Sequence, residues 1–172
     1  MYLYNLLRRL KTIYLSMIKS HLEYGIIIWD SALKKFLDPL TIVKKYAIHN
    51  LMKTDSRAHA APLFREAGLL RLEDIYTLRT CQFVRNYYKG SLPMSFYNPY
   101  FFARVSDVSP RDPTDKNYLN LYYGKQTSEK VINLPIIQIQ KTWNELNINL
   151  KRIPKENKFK SVFTTTAINK YV

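Results

Sequence analysis

Apolar positions recur along most of this chain at intervals of three and four residues, the spacing that gathers side chains on one face of an α-helix. Leu3, Leu6, Leu7, Leu10, Ile13, Tyr14, Met17 and Ile18 form the first such stripe, with Arg8, Arg9, Lys11 and Lys19 on the remaining surface. A basic amphipathic helix of this kind either lies on a membrane surface or packs against other helices. The apolar faces of the segments that follow favour packing. In HLEYGIIIWDSA, the run Ile26 to Trp29 is compatible with a short buried strand or with a helix. Asp38 followed by Pro39 predicts a helix start, since Asp accepts hydrogen bonds from unpaired amides and proline is tolerated at the first helical position. That helix is expected to run from Pro39 to about Met52, with Leu40, Val43, Ala47 and Leu51 on one face and Lys44, Lys45 and His49 elsewhere.

A loop from Thr54 to Arg57, with Ser56 as a candidate cap, leads into a short helix from His59 through Ala67 that Gly68 ends. Leu72, Ile75, Leu78, Arg79, Gln82, Phe83 and Asn86 recur through a long helix from Glu73 to about Lys89, stopped by Gly90. Glu73 and Asp74 read as its acidic first turn, where carboxylates complement the helix dipole. Residues 91 to 130 lose this periodicity and gain prolines at 93, 99, 110 and 113 and aromatics at 96, 97, 100, 101 and 102, the pattern of an irregular linker. Two uses stand for its aromatics, together with Arg104, Arg111, Tyr118, Tyr122 and Tyr123: stacking on bases or stapling a long loop to the core. From Pro135, Ile136, Ile139, Gln140 and Trp143 return to helical spacing, with a break near Asn147 to Asn149. Asn157 is a candidate cap for a last helix that turns Phe159, Val162, Phe163, Ala167 and Tyr171 inward. The expectation is an all-α chain in three stretches: helical 1–92, irregular 93–130 and a helical C-terminal segment 131–172 holding two helices. Composition agrees, since 172 residues suffice for a real core and only four glycines argue against a turn-rich β architecture.

Charge sharpens the picture. Lys and Arg number 27 against 13 Asp and Glu, leaving +14. The surplus is distributed, with 15 basic and 7 acidic groups in residues 1–90 and 12 and 6 in residues 91–172. Such a spread suits an extended polyanion such as nucleic acid, against the plainer reading of a soluble basic protein. A single cysteine, Cys81, excludes an internal disulfide and a cysteine-based zinc site. Flanked by Leu78, Phe83 and Val84, it reads as a buried core thiol, and its solitude suggests a reducing compartment. His21, His49 and His59 are isolated from one another and from carboxylates at ligand spacing. The opening apolar run is too short for a signal peptide, and no stretch approaches the length of a membrane span.

A block of residues also resembles a known family. The helix Leu10, Tyr14, Met17 and Ile18, the patch Leu22, Glu23, Tyr24 and Gly25 with Trp29 and Ser31, and the helix Leu40, Ile42, Lys44, Lys45 and Ala47 carry the first part. The run His59 to Phe64 with Glu66, then Leu70, Leu72 to Tyr76, Leu92 and Pro93 carry the second, and Thr142, Trp143 and Asn144 give a later echo. Together they resemble the segment after the palm domain in reverse transcriptases of non-LTR (LINE-type, jockey-like) retrotransposons. There a helical thumb and a C-terminal extension close over primer and template. The stretch Arg111-Asp112-Pro113-Thr114 departs from that family's Tyr-x-Thr-Arg-like signature.

The resemblance implies a thumb-like bundle for residues 1–92, with a helix at HLEYGIIIWDSA in which Trp29 anchors the core. It makes His59 a structural hydrogen-bonding group. It implies a fragment of an RNA-directed DNA polymerase that holds the primer–template duplex, with RNA, DNA and the missing palm as partners and no membrane. Lys44 and Lys45 are the first candidates for phosphate contacts, the alternative being a solvated helix face; Lys34, Lys35, Arg79, Arg85, Lys151 and Arg152 complete the set. Polymerisation needs carboxylates that hold two Mg²⁺ ions, which in the family sit in the palm as an aromatic-x-Asp-Asp turn. The sequence lacks that turn, so no catalytic residue and no cofactor is expected in this chain. An intracellular location, cytoplasmic or nuclear, follows from the same reading. The competing expectation is a repurposed or decayed helical interaction domain with no polymerase role. An independent enzyme has no readable nucleophile–base pair, phosphate-cradling loop or metal cluster behind it.

Overall fold

The computed structural model describes residues 2–29, 34–97, 102–104, 120–122, 131 and 133–171, without the side chains of 2–7 and 34–36. It is all-α, and among the described residues the sole β pairing is an isolated antiparallel bridge between Arg104 and Leu121. Helix α1 spans Tyr2–Ile13 and passes into a π-helical turn at Tyr14–Lys19, followed by short helices α2, Ser20–Glu23, and α3, Ile26–Trp29. The wide turn coincides with side chains that take up backbone carbonyls: Ser16 Oγ donates to the Ile13 oxygen at 3.2 Å, and Ser20 Oγ to the Ser16 oxygen. Such bonds compete with the regular ladder and loosen it. Gly25, at φ 64°, supplies the left-handed residue that separates α2 from α3.

Helix α4 spans Lys34–Met52, α5 Ala60–Ala67 and α6 Leu72–Tyr88. After a 3₁₀ turn at Met94–Phe96 come α7, Pro135–Glu145, α8, Ile148–Lys151, and α9, Glu156–Asn169. The chain divides into two compact units, Met1–Tyr76 with Thr164–Val172, and Thr77–Phe163. These divisions fall within α6 and α9, and the last turns of α9 belong with the N-terminal helices.

In the first unit Tyr14, Ile48, Leu51, Leu63, Phe64, Leu69 and Tyr171 form the core, with Leu10, Ile18, Ala47 and Met52 packed against it. Three details correct the sequence expectations. Helix α4 begins at Lys34 and carries Pro39 inside it, so Asp38 is not its cap. Its buried face is Lys44, Ile48, His49 and Leu51, whereas Val43 is 54% exposed. Trp29 is half-buried and donates Nε1–H to the Tyr24 oxygen at 2.8 Å, a local tie in place of a core anchor. The N-terminal stripe is likewise narrower than its spacing suggests, since Tyr14 is buried while Ile13 and Met17 are exposed. The start of α5 matches the expected position, with exposed His59 rather than Ser56 as its N-cap residue and no side-chain cap bond; Gly68 ends the helix at φ 62°.

In the second unit Cys81, Val84, Phe102, Leu121, Ile139, Trp143, Phe159 and Phe163 are buried. Of the described linker aromatics, Phe96, Tyr97 and Phe102 staple the loop to the core, while Tyr122 is 49% exposed. Phe96 meets Phe83 edge-on at 5.5 Å, Tyr97 stacks on Tyr87 at 5.2 Å, and Tyr88 Oη donates to the Phe102 oxygen at 2.8 Å. Tyr100, Phe101, Arg111, Tyr118 and Tyr123 lie outside the described residues. Asn144 clasps the linker's far end: its Oδ1 accepts from Leu121 N–H at 2.7 Å and its Nδ2 donates to Leu121 O at 2.9 Å. The last helix begins at Glu156, placing Asn157 inside its first turn rather than at its cap, and Val162 is exposed beside buried Phe159 and Phe163.

Candidate nucleic-acid interface

Adjacent positions on a helix point about 100° apart, and Lys44 and Lys45 show the consequence. Lys45 is exposed, while Lys44 is 2% exposed, donates Nζ–H to the Leu70 oxygen at 2.6 Å and lies 5.6 Å from the centre of the Phe64 ring. Burial pulls the Lys44 pKa down to about 7, against the opposing pull of Asp74 and Glu23. Both lysines line a cavity of about 500 Å³ that also touches His49, His59, Arg71 and Glu73. His49 is buried, with Nδ1 3.2 Å from Thr54 Oγ1. Arg71 lies over the Tyr171 ring at 4.3 Å, and the Tyr171 hydroxyl accepts from Arg71 N–H at 3.0 Å and donates to Asp74. This cavity thus mixes cations with a carboxylate and two imidazoles.

The second unit gathers cations more densely. Arg85 lies in the last turn of α6 and Lys89 just past its end, Lys151 and Arg152 close α8, and Arg104 comes from the bridge; the five line a cavity of about 200 Å³ with Tyr88 and Trp143. Arg85 donates Nη2–H to Ile153 O at 2.7 Å and to Pro154 O at 3.0 Å, with its guanidinium 4.7 Å from the Phe159 ring centre. Lys151 Nζ donates to Asn120 Oδ1 at 2.7 Å and Asn144 O at 3.0 Å. Burial lowers the pKa of both groups and raises that of the neighbouring Cys81 thiol to about 12. Lys89 pairs with Glu156 at 2.8 Å, which, with Gln82, holds that carboxyl below its usual range. Glu156 is outside the cavity lining.

Of the eight candidate phosphate-contacting residues, the structure brings Arg85, Lys151 and Arg152 together in one cavity. Lys44, Arg85 and Lys151 are buried; Lys44, expected to project away from the core, instead donates to the Leu70 oxygen, and Arg85 and Lys151 give some of their N–H groups to backbone and amide oxygens. Lys45 and Arg152 are exposed, and Arg79 is half-buried with Nη1 donating to Gln82 Oε1 at 3.2 Å. The side chains of Lys34 and Lys35 lie outside the described residues. Lys89 and Arg104, visible in the sequence as cations but outside the chosen set of eight, also line this cavity. The spacing of Lys89 four positions after Arg85 was a readable signal; Arg104 reaches the site through a bridge that no local pattern announces. Exposed Lys155, Lys158 and Lys160 add charge along the start of α9. Among the described residues no group of three or more His, Cys, Asp or Glu comes together, and no helix is long and apolar enough to cross a membrane. No family model, curated protein or solved structure matches this chain.

Proposed function

We propose that this chain holds nucleic acid as the thumb and C-terminal region of a non-LTR retrotransposon-type RNA-directed DNA polymerase. The observation that carries the reading is electrostatic. A chain of net charge +14 keeps Lys45, Arg152, Lys155, Lys158 and Lys160 exposed, so much of its surplus faces solvent. Cations so displayed neutralise phosphates and release the counterions condensed on them, a sequence-independent attraction suited to gripping a duplex whatever its sequence. The block from Leu10 to Pro93 that resembles the family's thumb supplies the identity of the duplex, an RNA–DNA hybrid. In this reading the palm and its Mg²⁺-holding carboxylates come from elsewhere, and the chain alone does not polymerise.

The test is fluorescence anisotropy of a labelled hybrid across a salt series. Binding should weaken linearly on a log–log plot, with a slope of about −0.9 per phosphate neutralised, and Lys45→Glu should weaken it. No detectable binding at low salt would remove the proposal.

The second reading, a helical interaction domain without a polymerase role, is favoured by a different observation. Met17, Tyr24, Ile28, Val43 and Tyr46 of the first unit are each more than half exposed, apolar surface that a partner could cover. Association without affinity for hybrid, read by sedimentation, would decide for it.

A further inference from the structure

We infer that the cavity lined by Arg85, Lys89, Arg104, Lys151 and Arg152 is a binding site for a phosphoryl group, either free or borne at the end of a small organic carrier. The inference goes beyond duplex holding and stands whether or not the chain grips a hybrid.

Four observations carry it. The lining holds five cationic side chains and no carboxylate. Arg85 and Lys151 are each 8% exposed, and among the described residues neither makes an ion pair. Removing a cation from water is costly unless an anion compensates it; here Glu156, paired with Lys89 behind the lining, acts on Arg85 from a distance, and dipolar carbonyl and amide oxygens supply the rest, so burial still lowers the pKa of both Arg85 and Lys151. Donors are also left over. Lys151 directs two of its N–H groups to Asn120 and Asn144, leaving a third, while Arg85 Nε is buried away from solvent without a hydrogen-bond partner and adds to the uncompensated polarity behind the cavity wall.

The side chains are also held in place before any ligand arrives. Ile153 and Pro154 oxygens with the Phe159 ring fix the Arg85 guanidinium, and the Arg104 guanidinium lies 3.9 Å from the Tyr88 ring centre. Preorganised donors of this kind lower the cost of ordering on binding. A volume of about 200 Å³ admits a phosphoryl group with room for part of a carrier. Phosphate fits the chemistry best, because several acceptor oxygens and up to two negative charges match a cluster of guanidinium and ammonium donors.

Isothermal titration calorimetry of the whole chain with inorganic phosphate, in low-salt chloride buffer, tests the site. A single saturable site is expected, weakened about tenfold or more by Arg152→Glu, whose exposed position spares the core, and by Lys151→Met, which keeps the apolar stem. Circular dichroism of both variants confirms the fold. Absence of saturable binding, or phosphate affinity unchanged in folded Arg152→Glu, overturns the proposal. A 5′-nucleoside monophosphate that competes with phosphate assigns the site to a carrier-borne group, and failure to compete assigns it to the free anion; either result keeps the site. Phosphate binding without hybrid binding would remove the duplex function alone, and hybrid binding without phosphate binding would remove the pocket alone.

Discussion

A buried ammonium whose contacts are a carbonyl and an aromatic ring is held by weaker compensation than an ion pair gives, and Lys44 is in that position beside Leu70 and Phe64. Its pKa is about 7 in the folded chain against 10.5 without burial. Between those values the unfolded chain binds the extra proton, so this residue makes stability rise with pH from about 7 to 10.5 and leaves it at its lowest below 7. Replacing Lys44 with Met should flatten that rise, changing the difference between variant and parent by about 2–4 kcal/mol across the window. Urea unfolding at both ends of the window measures it, and parallel pH profiles would contradict it. Cys81 offers a second check. Fully buried and with burial pushing its thiol to about 12, it should resist iodoacetamide in the native chain near neutral pH and take a single adduct once unfolded, as read by intact mass.

Among the elements, α4 departs most from local rules. Proline within a helix lacks the amide that would bond four residues back and crowds that carbonyl; Pro39 sits more than a turn beyond Lys34, where neither cost is excused. Pro39→Ala should therefore stabilise the chain by about 1–3 kcal/mol in thermal or denaturant unfolding. Unchanged or lowered stability would return the helix start to Pro39. The same helix shows what sequence could convey. Helical spacing located α5, α6, α7 and α9 to within a residue or two, and Gly68 and Gly90 marked two ends, because periodicity and left-handed stops are written locally. The buried face of α4 was not legible. The stripes Leu40–Val43–Ala47–Leu51 and Lys44–Ile48–Leu51 differ by one position, and the aliphatic stem of a lysine lets it join a core that hydropathy denies it. Legibility of the basic site was similar: Arg85, Lys151 and Arg152 were visible as charges, but their convergence depends on tertiary packing of α6 and α8 within the second unit.

At the scale of the whole chain, the first unit is discontinuous, built from Met1–Tyr76 and Thr164–Val172. Tyr171 secures the join: 3% exposed, it belongs to the core with Tyr14 and Phe64, donates to Asp74 and accepts from Arg71 N–H. Burial and the Asp74 carboxylate raise its pKa, so the hydroxyl stays a donor throughout the ordinary range. Tyr171→Phe should cost about 1–3 kcal/mol in denaturant unfolding by stranding the Asp74 carboxylate and an amide, while a neutral result would show that ring packing alone holds the tail. The placement of Tyr171 also sets a timetable for biosynthesis. Translation proceeds at about 5–20 residues per second, so the N-terminal helices emerge seconds before the residue that completes their core, with residues 77–163 made in the interval. Each unit needs part of the last helix, so neither core closes until that helix has been made, and the earlier helices carry uncovered apolar faces in the interval.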